Sequence, residues 1–165
     1  MKTPDDPATV LASGTLCFGC GPDNANGLRL QFTIDTDGEG TTISTAATRI
    51  AAQYEGPPGF VHGGIIATLL DKAMSKVNRP LRVIAMTRHM EVDYLRPVPV
   101  ETKLTIQGQH VRRDGRKLFN AAQILDMDGH VLAKAKGVFV VVDPAKIAGR
   151  AQRLAVASEA NSSPA

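Results

Sequence analysis

The sequence predicts an α+β domain in which an antiparallel sheet of five to six strands packs on one long helix. Three observations carry this. One stretch, 63–78, has helical periodicity; six runs alternate or are rich in β-branched residues; and Asp114-Gly115 and Asp128-Gly129 are hairpin signals between the later runs. At 165 residues, with 43% hydrophobic and 21% charged, the chain has the size and composition of one globular domain. We divide it into a flexible N-terminal segment (1–15), the domain (16–143) and a C-terminal short helix or frayed tail (144–165).

The elements follow in order. Leu28, Leu30, Phe32 and Ile34 alternate with Arg29, Gln31 and Thr33, predicting a strand over Leu28 to Ile34. Asp37-Gly38-Glu39-Gly40 turns the chain into a β-branched run, Thr42 to Ile50, so the two strands pair as a hairpin. Glu55-Gly56-Pro57-Pro58-Gly59 then breaks regular structure. The helix runs from Gly63 to Asn78 and stops at Arg79-Pro80, because proline disfavours helix in the residue before it. Strands over Arg82 to Leu95, Thr102 to Arg113, Lys117 to Leu125 and Val131 to Val142 complete an antiparallel meander, and Ala145 to Ala157 could form a short helix. One helix covers only part of such a sheet, so a partner chain is expected on the rest.

Composition removes several function classes. There is no Trp and aromatics are 4%, too few for base-stacking platforms. The net charge of +3 comes from interspersed charges and suits a phosphate-bearing small ligand as well as a nucleic acid, for which nothing else argues. No window has the apolar length of a membrane span, and Met1 to Pro7 lacks the apolar core of a secretory signal, so the cytoplasm is expected. Cys17-Phe18-Gly19-Cys20 is a single CxxC that cannot by itself close a four-ligand zinc site, and His62, His89, His110 and His130 have no zinc-finger spacing. No metal is expected. Gly21-Pro22 follows where a redox motif would want a helix, and the thiols read as structural.

Along the helix, Ile66, Leu69, Leu70, Ala73 and Val77 make one apolar side. The other side holds Gly64, Ala67, Thr68, Asp71, Ser75 and Asn78, small and polar with one acid, and Lys72 and Lys76 lie to a flank. Small residues there imply close approach by another helix or a ligand. At the helix start, His62-Gly63-Gly64 leaves backbone N–H groups open at the positive end of the dipole, a site suited to an anion or a developing oxyanion. Its plainer role is a tight turn.

Val61-His62-Gly63-Gly64-Ile65-Ile66-Ala67-Thr68-Leu69-Leu70-Asp71 resembles the helix signature of the hotdog-fold acyl-CoA thioesterases, in particular their phenylacetyl-CoA-type branch. Thr87-Arg88-His89-Met90-Glu91-Val92-Asp93-Tyr94-Leu95-Arg96-Pro97-Val98-Pro99 is similar to the strand that follows it there, and the Cys17 to Gly21 opening with Asn26-Gly27-Leu28 also occurs in relatives. The resemblance covers residues 16 to 142. It implies a hotdog fold, a sheet wrapped around the helix, and pairing into a homodimer or a dimer of dimers. It further implies hydrolysis of an acyl- or aryl-CoA without a cofactor, coenzyme A being part of the substrate. Asp71 would be general base or nucleophile, the N–H of Gly63 together with Gly64 the oxyanion hole, Thr87 the hydroxyl that orients water, and His62 the organiser of the helix start. Where many relatives carry Asn or Gln as a second carbonyl ligand, this chain has Glu55-Gly56.

Gly63 and Asp71 are eight positions apart, ~12 Å along a helix axis, too far for one thioester carbon to meet both. Two helices packed antiparallel about a two-fold axis would bring the glycine end of one chain to Asp71 of the other. For the coenzyme A phosphates the candidates are Arg112, Arg113, Arg116 and Lys117 around one turn, with Arg88 and Arg96 added by assembly; a solvated turn is the plainer reading. Competing functions are a non-catalytic acyl-CoA-binding hotdog module and a hydratase or dehydratase. Known sensors of the first kind attach a DNA-binding segment, for which the 165 residues leave no room. The second pairs a catalytic His with an acid on different elements, unlike Gly-Gly and Asp71 on one helix.

Overall fold

Asp-Gly turns set the later half of the domain. Gly115, at φ 54°, and Gly129, at φ 82°, take the left-handed backbone that closes hairpins between β4 (Lys103–Asp114), β5 (Lys117–Leu125) and β6 (Val131–Val141). These strands, with β1 (Thr33–Thr36), β2 (Thr42–Arg49) and β3 (Ala85–Tyr94), form one antiparallel six-stranded sheet in the order β1-β2-β4-β5-β6-β3. The structure, a computed structural model, describes residues 16–150 and Arg153.

The helix α1 (Gly63–Lys76) lies across one face of this sheet and contacts β2 to β6. Its Ile66, Leu69, Leu70, Ala73 and Met74 are buried against Leu104 and Ile106 of β4, Leu118 and Ile124 of β5, and Ala133, Ala135 and Phe139 of β6. Burial of such aliphatic side chains contributes roughly 1.5–3 kcal/mol each and makes this interface the core of the domain. At Gly108 the helix backbone approaches so closely that a Cβ would stand 2.5 Å from the carbonyl oxygen of Ala73. Beside it, the buried Ser44 hydroxyl donates to the same carbonyl at 2.8 Å. At the far end of the helix, Asn120, 2% exposed, donates to Met74 O (2.9 Å) and Asn78 Oδ1 (2.8 Å) and faces His110 Nδ1 (2.8 Å).

The structure departs from the sequence reading in four places. The first strand starts at Thr33, not Leu28, because Leu28 and Leu30 donate their N–H groups to Phe18 O (2.8 Å) and Gly19 O (3.0 Å) and Arg29 has φ 49°. The apolar members of that run still face the core, with Leu30 buried and Leu28 and Phe32 packed on it. β3 is not part of a meander: it pairs with β6 at the opposite edge, while β2 pairs with β4, so the meander is β4-β5-β6. The helix ends at Lys76, and Arg79–Leu81 continues as a 3-10 turn around Pro80. Asn78, placed on the open side of the helix, is instead buried on Asn120. Residues 144–150 are helical, and the rest of the expected C-terminal helix, Arg153 apart, lies outside the described residues, as does the segment 1–15.

Candidate active site

Asp71 sits two turns into α1 on its half-exposed side, and β3 runs past it. Thr87 of that strand donates its hydroxyl to Asp71 Oδ1 at 2.6 Å, while Oδ2 makes no hydrogen bond among the described residues. A β-bulge at Arg88 contributes to this geometry. Register with β6 slips between Thr87↔Phe139 and His89↔Val138, so Ala85 and Thr87 face α1 before the bulge, and Met90 and Val92 pack on the core after it. Asp71 and Thr87, sixteen positions apart in sequence, are thereby brought together.

Two turns away, the helix start is organised by His62. Its backbone is extended (φ −59°, ψ 138°), its Nδ1 accepts the Gly64 N–H at 3.0 Å, and its carbonyl accepts from Ile65 (2.9 Å) and Ile66 (3.1 Å). That leaves the Gly63 N–H as the one amide of the first turn with no acceptor among the described residues. Gly63 and Gly64, treated together from sequence, are therefore unlike: one amide is open and the other is held by the cap. Tyr94, at the end of β3, donates to the Gly63 carbonyl at 3.2 Å. A cleft of about 400 Å³ opens beside this point, lined by Phe60, Gly63, Ile66, Tyr94, Leu95 and Arg96 among others. Sequence reasoning gave Tyr94 and Phe60 no role; their only local signal was an aromatic at each margin of a motif.

Between Gly63 and Asp71 the open side carries Ala67 and Thr68, and the Thr68 hydroxyl is turned back onto Gly64 O at 2.9 Å. Glu55, at the position where an amide ligand was sought, closes its own loop by accepting the Gly59 N–H at 3.0 Å. The basic turn lies beside the end of β6, where Val140 and Phe139 pair with Lys117 and Leu118 on one side and with Met86 and Thr87 on the other. Arg112 stacks on Phe119 (3.5 Å), Arg113 donates to Gly115 O (2.9 Å), and Arg116 donates twice to Val141 O (3.1 and 3.0 Å). Lys117 of this group, like Arg88 and Arg96, is exposed. The three guanidinium groups thus serve the turn's own backbone, the end of β6 and a ring, and none bonds to Asp71 or Gly63 among the described residues.

Among the described residues the one grouping with metal-ligand chemistry is Asp126, Asp128 and His130, in the β5–β6 turn. There Asp126 accepts the N–H groups of Asp128 (3.0 Å) and His130 (2.8 Å) and the His130 ring (3.1 Å), which is the work of a turn cap. No helix among the described residues is long and apolar enough to cross a membrane.

With this geometry in place, similarity to known proteins is informative. Residues 58–133, from the loop before α1 to the start of β6, match the thioesterase superfamily model. An acyl-coenzyme A thioesterase THEM4 of Xenopus laevis is 36% identical over 91 residues, 54% of this chain and 41% of that protein, so the match spans less than half the relative's length. A solved thioesterase superfamily protein superposes with TM-score 0.68 at 32% identity over 76% of this chain and 60% of that one. A hypothetical thioesterase of Streptococcus pneumoniae, solved with coenzyme A, gives TM-score 0.60 at 23% identity over 68% of this chain and 89% of that one, a likeness of fold alone. The six-stranded antiparallel sheet on one central helix is the hotdog architecture, and within it residues 58–133 are similar to the thioesterase superfamily.

Proposed function

We propose that this chain is an acyl-CoA thioesterase, hydrolysing the thioester of an acyl- or aryl-CoA at a site shared between two copies. The observation that carries the reading is the Asp71–Thr87 pair. The Thr87 hydroxyl fixes one carboxylate oxygen at 2.6 Å and leaves the other to take a proton from water, or to attack the thioester carbon and form an anhydride. The open Gly63 N–H, at the positive end of α1, is the complementary group, able to stabilise negative charge on the thioester oxygen as it develops. The curated relative's name, an acyl-coenzyme A thioesterase, supports the same substrate class.

The second copy answers the separation of those groups along α1. Among the described residues β3 is an edge strand with an unpaired side, and most of its ten residues are exposed, including Met86 and Tyr94 at 56% each. A partner laid against β3 and the Ala67/Thr68 side of α1 would cover this surface and bring its own Gly63 to Asp71. Two equivalent sites per dimer follow, and a dimer of dimers would bury more of the sheet. The cleft beside Gly63 would take the acyl chain, and Arg88, Arg96 and the β4–β5 turn the coenzyme A phosphates. The reaction needs no cofactor, and we place it in the cytoplasm.

Purified protein should release free thiol from a panel of acyl-CoAs, and Asp71→Asn should lower kcat at least a hundredfold with the fold retained. Tight acyl-CoA binding without thiol release would instead make the chain a binding module. A fully active monomer in sedimentation would overturn the shared site.

A further inference from the structure

The two cysteines are not simply loop residues. Residues 16–21 form a turn held by Gly21 N–H on Cys17 O (2.7 Å) and by the two N–H groups that Leu28 and Leu30 contribute. This turn lies on α1 immediately beyond Asp71. Gly19 is buried under Lys72 so tightly that a Cβ on it would meet Lys72 Cγ. The lysine stem therefore clamps the turn and holds its ammonium near Cys17. Burial pushes the Cys17 thiol up, but the Cys20 and Gly19 amides, the Lys72 charge and the Cys20 thiol together outweigh it, bringing it from 9.0 down to about 7.

Both thiols are free, partly exposed and open to a groove of about 230 Å³. Lys72, Lys76 and Arg79 line it with them, no acidic residue does, and none of the three cations has an ion-pair partner among the described residues. A neighbouring cationic group opposes capture of a metal cation. It favours a thiolate and an anionic partner.

We propose that Cys17 and Cys20 are a redox-active dithiol that exchanges with small disulfides carrying anionic groups. The Cys17 thiolate attacks one sulfur of RS–SR, forming the Cys17–S–SR bond as the S–S bond breaks, and RS⁻ leaves to take a proton from water. Cys20, giving its proton to solvent, attacks the Cys17 sulfur, closes the intramolecular disulfide and releases the second RS⁻. The dithiol is oxidised by two electrons and the small disulfide reduced to two thiols. Cys17 is the attacking sulfur because Lys72 and the neighbouring amides favour its anion; Cys20 is the resolving one because it stands three residues on in the same turn and lines the same groove. This chemistry does not depend on thioester hydrolysis and is measured separately from it.

The test uses 5,5′-dithiobis(2-nitrobenzoate) as the anionic disulfide and cystamine as a cationic one, with intact-mass analysis of the full chain. The wild type should release two aromatic thiols per chain and finish as an internal disulfide with no adduct. The rate should rise with pH to a plateau through a midpoint near 7. Cys20→Ser should release one thiol and keep the adduct, and Cys17→Ser should lose the fast phase. Lys72→Met should slow the anionic reagent on the order of tenfold relative to cystamine. Lys76→Met and Arg79→Met, at exposed or half-exposed positions, should act in the same direction, so the charge argument does not rest on one variant. A wild-type product with two adducts, a faster Cys20, a rate midpoint near 9, a Lys72→Met variant that slows both reagents equally, or stoichiometric zinc masking both thiols would each overturn the proposal.

Discussion

Gly63→Pro isolates the proposed oxyanion donor, because proline at this position removes one hydrogen and little else. Gly63 is the first residue of α1, where an N–H has no intrahelical acceptor and the fixed φ of proline suits the helix. His62 before it is already extended, at φ −59° and ψ 138°, the region that a following proline requires. A Cβ on Gly63 would meet nothing nearer than Tyr94 Cε1 at 3.7 Å, an ordinary contact. The Gly63 carbonyl keeps its bond from Tyr94, and Gly64 keeps its cap on His62. The expected change in stability is therefore within about 1 kcal/mol of zero, read from urea unfolding. Loss of an oxyanion donor costs about 10²–10³ in kcat, or roughly 2.7–4 kcal/mol of transition-state stabilisation, read from thiol release with an acyl-CoA that the wild type hydrolyses. The Gly64 amide cannot stand in, being held by His62 at 3.0 Å. Co-expression with Asp71→Asn then tests the shared site. A heterodimer of the two variants has one site with both wild-type groups and should recover activity that neither homodimer has. A folded Gly63→Pro enzyme with wild-type kcat, or no recovery in the heterodimer, would refute the reasoning.

Other substitutions probe the frame around the site. Gly108→Ala places a Cβ 2.5 Å from Ala73 O and requires α1 to retreat by about 0.9 Å for ordinary contact; overpacking of this kind costs about 1–3 kcal/mol in urea unfolding. The same retreat carries Asp71 from Thr87, so kcat should fall by up to about a hundredfold. Asn120→Ala strips the hydrogen bonds to Met74 O and Asn78 Oδ1 in a buried site and should cost about 2–4 kcal/mol in unfolding free energy. Cys17 has a folded-state pKa, about 7, below its ordinary 9.0, so its anion adds stability that is fully present above 9 and lost as pH falls through 7. Under reducing conditions the stability difference between wild type and Cys17→Ser should therefore widen from pH 7 to 9; a constant difference would remove the thiolate from the account.

Elements with a local cause were legible in the sequence, and pairings with a remote cause were not. β5 begins at Lys117 and ends at Leu125, where turn residues on both flanks put it. The buried side of α1 is the apolar side that its periodicity gives, with Met74 added. The run from Leu28 alternated as a strand does, but its N–H groups go to the cysteine turn, and no period reveals which carbonyl an amide will choose. Nor does anything local send β3 to the far side of β6, since a strand and its partner here are separated by the whole of β4 and β5. Of the candidate site, Asp71 and Thr87 were singled out through resemblance to a family, Thr87 as a hydroxyl that orients water; their hydrogen bond, and the bulge at Arg88 that permits it, were not legible. The difference between Gly63 and Gly64 turns on one ring nitrogen of His62, which a glycine pair does not encode.

The open side of α1 has two chemically competent points with an inert stretch between them. Among the described residues, an amide at one end lacks an acceptor and a carboxylate at the other is half-satisfied. Between them Ala67 offers no polar group, and Thr68, which could, hydrogen-bonds to Gly64 O within its own helix. A surface meant for water usually carries long charged side chains, and a surface meant to bind along its whole length would carry polar groups along it. Small, self-satisfied residues do neither; they set how near another backbone can come. On the proposed reading that spacing is functional, because an approach closer or wider by ~1 Å would misplace carboxylate and amide together and cost about 10²-fold in rate. Thr68→Val retains the size and removes the internal hydrogen bond, whereas Ala67→Leu adds bulk at the contact. The first should leave kcat within about threefold and the second should abolish both dimer and turnover, read by sedimentation and thiol release on the same samples. If Ala67→Leu remains an active dimer, the small face is not where the two copies meet.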